Sequence, residues 1–101
     1  MKPVVFHPEA RTEVREAVAY YELRRFDLAT AFGDEVEEKV WVIRQDPQRW
    51  AKAGSSGARK CLLKRFPYSI YYLDQDHRIW IVAVAHQKRR PYYWLDRISA
   101  N

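Results

Sequence analysis

The chain has 101 residues, 48% of them hydrophobic and 15% aromatic, and its 18 Lys and Arg against 13 Asp and Glu give a net charge of +5. That length suits one domain over residues 1–101 with a modest core, and the apolar content excludes a chain too polar to fold. No apolar run approaches the roughly eighteen residues of a membrane-spanning helix, and Met1-Lys2-Pro3-Val4-Val5-Phe6-His7 is too short in apolar residues for a secretory signal, so a cytoplasmic protein is expected. The charge is unevenly placed. Residues 1–50 hold 8 Lys and Arg against 10 Asp and Glu, whereas residues 51–101 hold 10 against 3. A basic second half suits an anionic partner, either nucleic acid or an acidic protein segment.

Val4-Val5-Phe6 predicts a short first strand. His7-Pro8-Glu9 opens a helix, because proline suits the first helical position and Glu9 lies near the positive end of the dipole. Ala10, Val14, Ala17, Val18 and Tyr21 recur at helical spacing, with Arg11, Glu13, Arg15, Glu16 and Glu22 on the other face, to about residue 24. After a break near Phe26-Asp27, Leu28, Phe32, Val36, Val40 and Ile43 predict the apolar stripe of a second helix. It must end by Asp46, the residue before Pro47. Asp34, Glu35, Glu37 and Glu38 form its solvated outer face, with no His or Cys spacing that suggests a metal site. The two helices form an antiparallel hairpin.

Residues 48–58 read as a loop anchored by Trp50. Gly54-Ser55-Ser56-Gly57 within it lacks the glycine spacing and lysine of a phosphate-binding loop. Three strands follow, over residues 59–65, 68–73 and 78–85, with turns at Phe66-Pro67 and at residues 74–77. The lone cysteine, Cys61, excludes an internal disulfide and sits where a buried small hydrophobe is expected. In the last strand both alternating sets are apolar: Ile79, Ile81, Ala83 and Ala85 on one side, Trp80, Val82, Val84 and His86 on the other. Such a strand belongs in the middle of a sheet, covered on both faces. The expected fold is α+β: an N-terminal strand, a helical hairpin, then a three-stranded antiparallel meander, with the helices packed on one face of the sheet.

The last strand runs into His86-Gln87-Lys88-Arg89-Arg90-Pro91-Tyr92-Tyr93-Trp94. Lys60, Lys64 and Arg65 join this cluster if their strand lies close by. RNA cleavage by the substrate's own 2′-hydroxyl needs a proton acceptor, a proton donor and cations for a charged phosphorane. His86 suits proton transfer near neutrality. Tyr92 or Tyr93 could supply a second proton or stack on a base. Lys60, Lys64, Arg65, Lys88, Arg89 and Arg90 could hold phosphate. The same residues also suit a plain strand end, with His86 as a hydrogen-bonding cap, the arginines in water and the aromatics packed back on the sheet. Neither a metal nor an organic cofactor is expected.

His7-Pro8-Glu9-Ala10 after the opening strand, the helical hairpin, Phe66-Pro67-Tyr68-Ser69-Ile70-Tyr71-Tyr72, and the run from Ile81 to Trp94 together resemble the RelE/ParE superfamily of bacterial type II toxin–antitoxin toxins, the plasmid-stabilisation proteins. The resemblance covers nearly the whole chain. It implies a growth inhibitor neutralised by a cognate antitoxin. An acidic, initially disordered C-terminal antitoxin segment would dock on the exposed side of the hairpin or the open sheet edge. It also implies one of two targets. RelE-like members are ribosome-dependent mRNA endonucleases, whereas ParE-like members act on DNA gyrase and are not nucleases. Nuclease members carry an arginine where this chain has Ser69, and serine supplies no fixed charge for a phosphorane. The expectation is therefore a ParE-like, gyrase-directed and non-enzymatic toxin. The alternative is a RelE-like endonuclease acting on mRNA at the ribosome, with His86, Tyr92 and Arg65 as the catalytic set and Lys60, Lys64, Lys88, Arg89, Arg90 and Tyr93 binding phosphate or partner.

Overall fold

The computed structural model describes residues 1–99; Ala100 and Asn101, the end of the expected domain, lie outside the described residues. The elements are β1 (Val4–Phe6), α1 (Pro8–Glu22), α2 (Phe26–Gln45), β2 (Arg59–Leu62), β3 (Tyr68–Asp74), β4 (Ile79–His86) and α3 (Leu95–Ser99). Local chemistry sets the first helix end: Pro8 occupies the first turn, and His7 Nδ1 accepts the Glu9 N–H at 3.0 Å. The break between the helices falls at residues 23–25, slightly before the expected Phe26-Asp27. The Arg24 and Arg25 amides turn back onto the Tyr21 carbonyl, and the Arg25 guanidinium forks onto Asp27 in the first turn of α2. The second helix stops at Gln45, ahead of Asp46-Pro47 as the proline requires.

The sheet has the order β1-β4-β3-β2, with β1 parallel to β4 and the other neighbours antiparallel. β4 is central and buried from Ile79 to Ala85, as its two-sided apolar pattern predicts. Helices α1 and α2 cover one face of the sheet around Phe32, whose ring lies 5.6, 5.3 and 5.0 Å from those of Tyr21, Phe66 and Tyr68. Trp50 packs against this core, as expected of the loop's anchor. The other face is closed by Trp94, which stacks on Tyr71 at 4.5 Å beside Ala58, Trp80 and Val82.

Two departures from the expected pattern matter for the site. The first is the end of β2, which stops at Leu62 and not at residue 65. Leu63 donates to the Tyr68 carbonyl, and the Glu35 carboxylate accepts the Lys64 and Arg65 amides at 2.5 and 3.1 Å. Pro67 cannot donate to a ladder, so the chain turns there. Glu35, expected on the solvated face of α2, is buried because it serves these amides. The second departure is a β-bulge. Tyr71 pairs with Ala83 and Tyr72 with Ile81, which leaves Val82 as an extra residue. The bulge shifts the alternation of β4 by one. Val84 joins Ile79 and Ile81 under the helices, while Ala83 packs with Trp80 on the far face. His86 follows Val84 to the helix side, where it pairs with Tyr68. Among the described residues no helix is long and apolar enough to cross a membrane.

Replacing Phe32 with Ala removes the ring on which three others pack, and is expected to cost about 3–5 kcal/mol in urea unfolding with an unchanged m-value. A loss under about 1 kcal/mol would show that the aromatic cluster does not organise this core. Burial pushes the Cys61 thiol from an ordinary value of 9.0 up to about 11. The fold favours the neutral thiol, so this contribution to stability is complete below the ordinary value and is lost as pH rises through about 11. Alkylation of the native protein at pH 8 is expected to run roughly a hundredfold slower than that of the urea-unfolded chain; equal rates would show a reactive thiol.

Candidate functional site at the end of the central strand

β1 pairs with β4 only as far as Phe6 opposite Ile81, whereas β4 runs on to His86. Beyond that point β4 has ladder groups with no strand beside them, and side chains take the place of the strand. Glu13 Oε1 accepts the Val84 N–H at 2.9 Å, and Arg97 Nη1 donates to the Val82 carbonyl at 2.9 Å. The two side chains grip each other through two bonds of 3.0 and 2.9 Å, each only 11% exposed. The Tyr93 hydroxyl donates to Glu13 Oε2. Burial, aided by the Glu13 bond that retains its proton, pushes the Tyr93 hydroxyl well above the ordinary tyrosine value. Burial opposes the charge on Arg97, but Glu13 outweighs it and holds the guanidinium above its ordinary value. Glu13 thus sits in a buried network rather than on the solvated face of α1.

From this anchor the chain folds back across the end of the sheet. Gln87 donates to the Pro67 carbonyl at 2.8 Å, and His86 Nδ1 accepts the Lys88 N–H at 3.1 Å, as a strand-end cap does. A neutral His86 ring in this pose carries its proton on Nε2. The ring meets Tyr68 edge to face at 5.0 Å. The Arg89 guanidinium lies 3.9 Å over the Tyr93 ring. Tyr92 has φ 59°, a left-handed conformation that is uncommon outside glycine, and turns its ring toward the loop before β2. Its hydroxyl lies against Gly54, where a Cβ would stand 2.7 Å from the oxygen.

Between this returning segment, β3 and the loop lies a cavity of about 330 Å³. Lys60, His86, Arg89, Arg90, Tyr92 and Tyr93 line it, and no acidic side chain does among the described residues. Lys60 Nζ stands 5.9 Å over the Tyr71 ring. Ser69, 2% exposed, lines the cavity from β3 opposite Ala85. Lys88 is exposed on the turn outside the lining. Lys64 and Arg65 are not brought to this place. They line a separate hollow on the flank of α2, with Phe26, Asp27 and Asp34. Arg65 therefore does not replace the cation that Ser69 lacks. Among the described residues no group of three or more His, Cys, Asp or Glu could hold a metal ion.

Glu13 and Arg97 escaped the sequence-based reading. Only one signal was available for Glu13: it lies three residues after Ala10 and four before Ala17, on the rim of the buried stripe. Nothing in the sequence marks Arg97.

The family described as "ParE toxin of type II toxin-antitoxin system, parDE" matches residues 4–91, and the chain belongs to it. It is therefore the toxin component of a type II toxin–antitoxin system, whose other component is an antitoxin. Among solved structures the fold is similar to that of a chain described as "Chromosomal ParDE TA system from P. aeruginosa", with a TM-score of 0.75 and 18% identity over 85% of this chain and 96% of that one. No curated protein sequence matches it significantly. The family match spans β1 to Pro91, so it includes Glu13 and His86 and ends before Arg97.

Gly54→Ala would add a Cβ against the Tyr92 hydroxyl at a backbone φ of +56° that L-residues rarely adopt. It is expected to cost roughly 1–2 kcal/mol in chemical unfolding. An unchanged midpoint would show that the loop does not rest on Tyr92.

Proposed function

We propose that this toxin acts by binding and not by cutting RNA: a gyrase-directed, non-enzymatic growth inhibitor. The observation that carries this reading is Ser69. A phosphorane in the cavity would meet a neutral hydroxyl there, and Arg65 faces a different hollow. Two of the three candidate proton carriers are engaged as well. The Tyr93 hydroxyl is tied to Glu13, and one nitrogen of His86 is taken by the Lys88 amide. Membership of the ParE family supports the same side of the alternative. The cavity itself is cationic, is lined by no acid among the described residues and is fronted by a half-exposed Tyr92, which suits docking on an acidic protein surface. In this reading Lys88, Arg89, Arg90 and Tyr92 touch the target, and Lys60 adds to the field from β2.

Neutralisation follows from the same charge. A net charge of +5 favours an antitoxin with an acidic C-terminal segment. The outer side of β1 has no neighbouring strand among the described residues, whereas that of β2 is partly covered by a bridge between Lys52 and Arg59. Beside β1 lies a mainly apolar hollow lined by Val4, Phe6, Val36, Val40 and Trp41, the last 63% exposed, together with the charged Glu37 and Arg44. An edge strand next to such a hollow suits strand addition by an extended segment.

Induction without antitoxin, with RNA ends mapped and a DNA-damage reporter read in the same culture, separates the two targets. The expected result is intact mRNA, induced DNA damage and filamentation, with His86→Ala still toxic and the Arg89→Ala/Arg90→Ala pair not. Messages cut at ribosomal A-sites, relieved by His86→Ala, would overturn the reading in favour of a ribosome-dependent endonuclease.

A further inference from the structure

The Glu13 carboxylate receives donors from three parts of the chain: the Val84 N–H of β4, the Tyr93 hydroxyl of the returning segment and the Arg97 guanidinium of α3. Its position explains why. The His7 N–H on the Ile81 carbonyl, at 2.8 Å, is the last bond that the β1 side gives to β4, because Pro8 starts α1. The next two groups on that side of β4 are the Val82 carbonyl and the Val84 N–H. The first belongs to the bulge residue itself and the second lies two residues beyond it, and Arg97 and Glu13 satisfy them. The bulge decides from which face of the sheet His86 and the following residues leave. Glu13 therefore holds the bulge at one end of the returning segment and, through Tyr93, holds the other end. Arg89 rests on the ring that Glu13 fixes.

We propose that Glu13, backed by Arg97, is the positioning residue of the toxic rim. It holds residues 86–93 in the turn that presents Arg89, Arg90 and Tyr92. The proposal rests on the reading of this rim as the acting surface. Stability alone does not account for the arrangement. A buried ion pair often contributes little net stability against an apolar replacement, whereas a fully satisfied one fixes geometry. Here it joins α1, β4, α3 and the rim at a single carboxylate.

The test compares Glu13→Gln, Tyr93→Phe and the Arg89→Ala/Arg90→Ala reference in the full chain. Three quantities are measured: the toxin level that halves growth rate, matched by immunoblot; the unfolding midpoint; and the ¹H–¹⁵N amide spectrum. Glu13→Gln is expected to stay folded, to shift the amides of residues 84–93 while those of β2 stay in place, and to require about tenfold more toxin, with a smaller increase for Tyr93→Phe. A merely structural Glu13 would lower the midpoint without selectively moving the rim amides or the potency of the folded protein. Folded variants with unmoved rim amides, or with wild-type potency while the arginine pair is inactive, overturn the proposal. If Glu13→Gln fails to fold, Tyr93→Phe, which loses a single hydroxyl, decides by the same two readouts. If the arginine pair remains toxic, the rim reading falls by itself. The amide shifts then decide the positioning: moved supports it, unmoved overturns it.

Discussion

Parallel pairing between β1 and β4 runs out after three residues, yet the central strand continues for five more into the interior. Backbone groups buried without partners carry a cost comparable to a lost hydrogen bond each, so the fold needs something beside that stretch of β4. The Glu13–Arg97 pair supplies it, one acceptor and one donor in place of a strand. Much else depends on this. Helix α3 has five residues, none of them buried, and is too short to be stable by propensity. It is held by Arg97 at the strand edge and by the neighbouring Trp94, which is sunk into the far-side core. The segment between β4 and α3 is thereby tied at both ends, and it is the segment that carries the basic rim.

The bulge at Val82 works with the same constraint. A central strand apolar on both faces can be shifted by one residue without exposing a polar side chain, so hydrophobicity alone does not specify its phase. The two cores do. Ile79, Ile81 and Val84 fit beneath the helical hairpin, while Trp80, Val82 and Ala83 fit against Trp94 and Tyr71. The extra residue lets β4 serve both, and His86 turns toward Tyr68 and α1 as a consequence.

At the rim, geometry separates residues that share a chemistry. Lys60, Arg89 and Arg90 surround one acid-free cavity, while Lys64 and Arg65, of the same charge, are drawn to the flank of α2 because Glu35 binds their amides. Two proton-transfer candidates have structural partners: the Tyr93 hydroxyl in Glu13, and one nitrogen of His86 in its own turn.

Sequence alone determined the order of elements, the central place of β4, the burial of Phe32 and Cys61, the basic character of the second half and the RelE/ParE resemblance. The first four follow from periodicity and composition, which report how each segment faces relative to its own axis; the resemblance rests on particular residues, among them His7-Pro8-Glu9-Ala10 and the run from Ile81 to Trp94. Tertiary structure alone decided that Glu35 is buried and Glu13 largely so, that β2 ends before Lys64 and Arg65, and that His86 lies on the helix side of the sheet. The burial of the two acids depends on backbone groups elsewhere in the chain that lack a ladder partner, Val84 for Glu13 and the Lys64 and Arg65 amides for Glu35, and the side of His86 depends on the one-residue bulge at Val82. Two acids in predominantly charged stretches look alike in sequence, and only the three-dimensional arrangement brings an unpaired N–H within reach of either.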